Sequence, residues 1–67
     1  MRNDIADRRR ARGWTQADLA ERLEVSRQTV VSLERGRFDP SLPLAFRLAR
    51  LFGTTIEDVF DPDAPGG

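Results

Sequence analysis

The stretch Thr15–Gly36, TQADLAERLEVSRQTVVSLERG, decides how this chain folds. Thr15 precedes a helical pattern over 16–23, and Asp18 follows at capping-box spacing. Ala17, Leu19, Ala20 and Leu23 supply a small apolar stripe. Glu24 and Val25 make a turn. Ser26 then caps a second helix, predicted over 27–35, and Gly36 stops it. On a 100° wheel Val30 and Leu33 point inward with Val25, while Arg27, Gln28, Val31, Ser32 and Arg35 spread over the remaining surface.

The flanking sequence supplies three more helices. One is predicted over 3–12, ended by Gly13, with Trp14 following as a core anchor. Ser41 caps another over 42–52, with Pro43 tolerated in its first turn. It carries Leu44, Ala45, Leu48, Ala49 and Phe52. After Gly53, Thr55 and Asp58 start a short helix over 56–60 with Ile56, Val59 and Phe60. The tail 61–67 has no large apolar side chain and is expected to fray. No internal repeat is visible. The expectation is one all-α domain over 1–67.

Composition narrows the functions open to it. The chain has 67 residues, and a domain of that size buries only about 60% of its unfolded surface. It has no Cys and no His. Disulfides and thiolate metal sites are excluded, and the commonest acid–base group at neutral pH is missing. An enzyme is therefore not expected, nor a metal, a cofactor or a small-molecule ligand. No apolar run is long enough to span a bilayer, and Arg-rich MRNDIADRRR lacks the apolar core of a secretory signal, so a cytoplasmic location is expected. The net charge is zero but unevenly placed: residues 1–37 hold nine Arg and six acidic residues, residues 38–67 two Arg and five acidic residues. That is either ordinary scatter or a basic binding face with an acidic side turned away. All eleven basic residues are Arg, the side chain suited to phosphate and guanine.

Two short helices joined by a tight turn can set a few side chains against base edges in the major groove. Gln28 suits adenine, Arg27 guanine, Val31 a thymine methyl, and Ser32 a base or a phosphate. The helix start at Ser26 favours a phosphate, as does Gln16 at the preceding helix start. Arg37 and, less strongly, Arg10 are further phosphate candidates. The competing reading is that all of these are solvated surface residues. Arg9 and Glu34 suggest a different role: if the first helix crosses the third, they pair at a partly buried site and fix that crossing.

The blocks Gly13-Trp14-Thr15-Gln16, Leu19-Ala20, Val25-Ser26-Arg27-Gln28-Thr29, Leu33-Glu34-Arg35-Gly36-Arg37, Pro40-Ser41 and Ile56-Glu57-Asp58-Val59-Phe60 together resemble the Cro/C1-type, or XRE-like, helix-turn-helix family. The resemblance implies a five-helix, lambda-repressor-like DNA-binding domain. It implies a phosphate contact from Gln16, base-facing positions at Arg27, Gln28, Val31 and Ser32, and an interhelical ion pair between Arg9 and Glu34. Three positions depart from the pattern. Glu24 stands where the turn usually has Gly, Arg8 where the first helix is usually apolar, and the tail is a poor strand.

One recognition helix touches few bases, so a palindrome-reading homodimer on double-stranded operator DNA is expected, its two helices about 34 Å apart. Because the tail is a poor strand, helix surfaces are expected to carry the dimer. Leu51, Phe52, Ile56, Val59 and Phe60 either form that interface or close the monomer core. The favoured function is a sequence-specific transcriptional regulator, a repressor in the simplest case. The alternative is a protein-interaction module, such as an antitoxin-like partner, built on the same fold.

Overall fold

A computed structural model describes residues 2–61. In chain order the elements are β1 (Arg2–Asn3), α1 (Ile5–Ala11), α2 (Gln16–Leu23), α3 (Arg27–Glu34), α4 (Leu42–Leu51), α5 (Ile56–Val59) and β2 (Phe60–Asp61). Local chemistry explains most boundaries. The Thr15 hydroxyl accepts from Asp18 N–H at 3.0 Å, and the Asp18 carboxylate accepts from Thr15 N–H at 2.9 Å, so the capping box is closed in both directions. Ser26, Ser41 and Thr55 each accept from the backbone N–H three residues on. These bonds satisfy helix-start donors that would otherwise lack partners.

The helix ends follow the same logic. After α3, Gly36 takes φ +71°, and the Arg37 N–H reaches back to the Ser32 carbonyl at 3.2 Å. After α2 the same left-handed step falls on Glu24, with φ 59° and ψ 41°. A side chain at such a position costs roughly 1 kcal/mol relative to Gly. The turn still closes, because Val25 N–H donates to the Ala20 carbonyl at 3.0 Å.

The helical expectation needs adjustment at both ends. The first helix begins at Ile5 rather than at residue 3, and the last ends at Val59 rather than at residue 60. The displaced residues form a two-stranded antiparallel pair, with Arg2 opposite Asp61 and Asn3 opposite Phe60. Asn3 ties this edge to the rest: its side-chain oxygen accepts from Ile5 N–H at 3.1 Å and its amide donates to the Leu33 carbonyl at 2.7 Å. Long-range bonding thus holds Asn3 extended, and Asp4 takes the N-cap position of α1. Asp61 is the one tail residue described, and it is paired rather than frayed; the rest of the expected fray lies outside the described residues.

The core brings Ile5 of α1, Leu19 and Leu23 of α2, Val30 and Leu33 of α3, Leu48 of α4 and Val59 of α5 to full burial. Phe52, Val59 and Phe60 are also buried, at 4%, 2% and 4% exposure. Of the two roles open to them, these three side chains take the one in the monomer core. Leu51 and Ile56 are half-buried against the same cluster. Trp14 stacks on Phe52 with centroids 6.2 Å apart, and the guanidinium groups of Arg12 and Arg22 lie 5.6 and 4.3 Å from its ring centre. Arg8, in place of an apolar residue, turns outward to pair with Asp4 at 2.9 Å.

Candidate nucleic-acid interface

α3 has one buried side, through Val30 and Leu33, and the rest of the site lies on its other side. Arg27, Gln28 and Arg35 are exposed, with Val31 and Ser32 half-buried beside them. The i, i+4 relation lines up Arg27 with Val31 and Arg35, and Gln28 with Ser32. The result is a ridge of two long polar side chains at the helix start, flanked by a small apolar and a hydroxyl group. These are the donor, acceptor and methyl-contacting groups that base edges require.

The ridge is held by an ion pair between α1 and the last residue of α3. Arg9 Nε donates to Glu34 Oε2 at 2.7 Å and Arg9 Nη2 to Glu34 Oε1 at 3.3 Å. A third donor, Arg9 Nη1, reaches the Trp14 carbonyl at 2.8 Å. Both charged side chains are nearly out of solvent, at 10% and 8% exposure. The fork therefore ties α1, the α1–α2 connection and the C-terminal end of α3 into one unit. Gln16 joins it: its amide nitrogen donates to Glu34 Oε1 at 3.1 Å. That bond uses one of the two amide hydrogens and fixes the side chain at the start of α2.

The remaining candidates are more loosely placed. The Ser26 hydroxyl is engaged in capping and also bonds the Thr29 hydroxyl at 2.9 Å, so Ser26 offers its end of the helix rather than a free side chain. Arg37 is exposed just past the α3 stop. Arg10 is exposed on α1, with Asp7 at 3.9 Å.

A helix-turn-helix family model matches residues 5–59, from the start of α1 to the end of α5. The chain belongs to the XRE-like helix-turn-helix family. It is 50% identical over 60 residues to an uncharacterized HTH-type transcriptional regulator of Methanocaldococcus jannaschii, covering 90% of this chain and 91% of that one. A regulator of the same description from Methanothermobacter thermautotrophicus is 51% identical over 67 residues, covering 98% and 97%. Among solved structures, the clp gene regulator ClgR from Corynebacterium glutamicum superposes with a TM-score of 0.70 at 31% identity. That match covers 81% of this chain and 57% of ClgR, so this chain spans little more than half the length of that neighbour.

Within this XRE-like chain the structure also shows groups that the reading of the sequence passed over. Arg47 on α4 donates to the Leu23 carbonyl at 3.2 Å and so satisfies the end of α2. Arg12 donates to the Phe52 carbonyl at 3.2 Å while its guanidinium lies 4.9 Å from the Phe52 ring centre. Neither bond has a local sequence signature. Phe38, Leu42 and Phe46 stand exposed, and the helical wheel of α4 already puts Leu42 and Phe46 opposite the Leu44–Leu48 row. No described helix is long and apolar enough to cross a membrane.

Proposed function

We propose that this DNA-binding transcriptional regulator is a cytoplasmic repressor that occupies a palindromic operator as a homodimer. One observation carries the reading: α3 is buried on one side and exposes Arg27 and Gln28 on the other, beside Val31 and Ser32. Gln28 takes an adenine edge and Arg27 a guanine edge, with Val31 against a thymine methyl and Ser32 on a base or the adjoining phosphate. Gln16, the helix start at Ser26, Arg37 and Arg10 hold the phosphates that set the register. Arg9 and Glu34 touch no DNA and keep the ridge at its angle.

Size supports the dimer. The described chain is 29 Å in its longest extent. Two half-sites one helical turn apart are separated by about 34 Å, which needs two copies side by side. Repression needs only occupancy of a promoter, and the family and its relatives are regulators rather than enzymes.

Selection of bound sequences from a random duplex pool tests the reading. Wild type is expected to recover a short two-fold motif, and Gln28→Ala to alter or weaken its half-sites at one position. Equal recovery of all sequences by wild type contradicts specific readout.

A further inference from the structure

Three large apolar side chains stand well out of the described surface: Phe38 at 42% exposure, Leu42 at 64% and Phe46 at 48%. Leu42 and Phe46 sit one helical turn apart on α4, away from the Leu44, Ala45 and Leu48 side that enters the core. Phe38 lies on the connection that brings the chain from α3 to α4. Beside these projections the surface is hollow. A depression of about 260 Å³ runs between Leu42, Pro40 and Ile56, and another of about 340 Å³ between Phe46, Arg50 and Ile56. Ile56 lines both, so Leu42, Phe46 and the two hollows form one continuous apolar face.

We propose that this face is where a second copy of the chain docks, through a two-fold contact centred on Leu42, Phe46 and Ile56. The proposal rests on the dimeric reading above and gives it a location. A two-fold contact presses one patch against its own image, so the patch must complement itself. Here projecting side chains adjoin hollows of matching character. The rim carries both signs of charge, Asp39 and Glu57 with Arg50. Like-signed rims repel when a surface meets its image; a mixed rim does not. The occupant is not DNA, because the face lacks the run of cations that phosphates require.

Area and position agree. The three side chains expose on the order of 300 Å² of apolar surface per copy, enough for the dry centre of an interface whose usual size is roughly 800 Å² per partner. Phe38 follows Arg37 directly, so the patch begins where the DNA-facing helix ends.

The chain has no Cys, so single-Cys variants report proximity without background. Leu42→Cys and Phe46→Cys are expected to form disulfide-linked dimers under mild oxidation, while Glu21→Cys, exposed on α2, remains monomeric on a denaturing gel. In sedimentation, Phe46→Glu is expected to weaken self-association by about tenfold or more. Phe46 is already half in water, so the variant should keep the wild-type circular dichroism, and it should still bind an isolated half-site. Two results overturn the location while leaving the operator reading intact: a dimer in which Phe46→Glu associates like wild type, or cross-linking no faster at 42 and 46 than at 21. Wild type that stays monomeric on a palindrome overturns the docking of a second copy. Wild type that binds no duplex at all overturns the operator reading instead.

Discussion

Glu34 is the residue on which the site turns. Its two oxygens hold Arg9 in a fork and Gln16 by a third bond. A buried pair adds little net stability against a well-packed apolar pair, because both charges leave water, yet removing one partner strands the other. Arg9→Ala and Glu34→Ala are each expected to cost about 3–5 kcal/mol in urea unfolding. That is much of the stability of so small a domain. The pair Arg9→Met with Glu34→Leu is expected to cost less than either single change, though not nothing, since the Trp14 carbonyl loses its donor. Additive losses contradict this coupling. Glu24 gives the opposite sign. Its φ of 59° suits glycine, so Glu24→Gly is expected to stabilise the turn by roughly 0.5–1 kcal/mol and raise Tm by about 2–8 °C. An unchanged or lower Tm contradicts it.

Helix starts carry the pH dependence. The N–H and hydroxyl of Thr15 hold the Asp18 carboxyl below its ordinary 3.8, and the Thr54 hydroxyl does the same for Asp58. A carboxyl depressed in the folded state contributes stability above its unfolded pKa, and the contribution is lost as pH falls through the folded value. Asp58 is exposed and Asp18 only half-buried, so the effect is modest. Stability is expected to be flat from about pH 5 to 8, since there is no His to titrate, and to decline below about pH 4. Thr15→Val should shrink that decline, as read from urea midpoints at the two pH values; an acid decline as large as that of wild type contradicts the assignment.

The same helix starts show why much of the fold was legible. Thr15, Ser26, Ser41 and Thr55 announce helices through bonds made within four residues, and Gly13, Gly36 and Gly53 announce ends through backbone freedom. The β1–β2 pair was not legible, because two residues carry no periodicity and their partners lie at the opposite end of the chain. The Arg9–Glu34 pair was visible as a charge match once α1 was taken to cross α3, while the Gln16 bond to Glu34 depended on a rotamer that sequence does not encode. For Leu51, Phe52, Ile56, Val59 and Phe60 the sequence left two roles open, a subunit interface or the monomer core. Phe52, Val59 and Phe60 read as surplus apolar area until Phe60 turns back into a strand and closes the core beneath them. Leu42 and Phe46, on a helix apolar almost all round, were the residues left outside.

Across the whole molecule, a net charge of zero conceals Arg27, Arg35 and Arg37 on and just past α3 and Glu57 and Asp58 on α5, all exposed. Such separation orients a molecule approaching a polyanion and makes its binding sensitive to salt. Arg37→Ala is expected to weaken binding almost evenly across sequences and to lower the slope of log affinity against log salt by about one unit. A sequence-dependent loss would instead place Arg37 at a base. Gln28→Ala is expected to change which duplexes are preferred while leaving that slope near its wild-type value.

The α3 ridge can be tested directly by following the backbone amide resonances while a selected duplex is titrated in. The largest shifts are expected from Arg27 through Arg35, with a second group at Gln16 and Ser26, and they should saturate at one duplex per two chains. Shifts confined to Phe46, Ile56 and their neighbours, with Arg27 and Gln28 unmoved, would contradict the account.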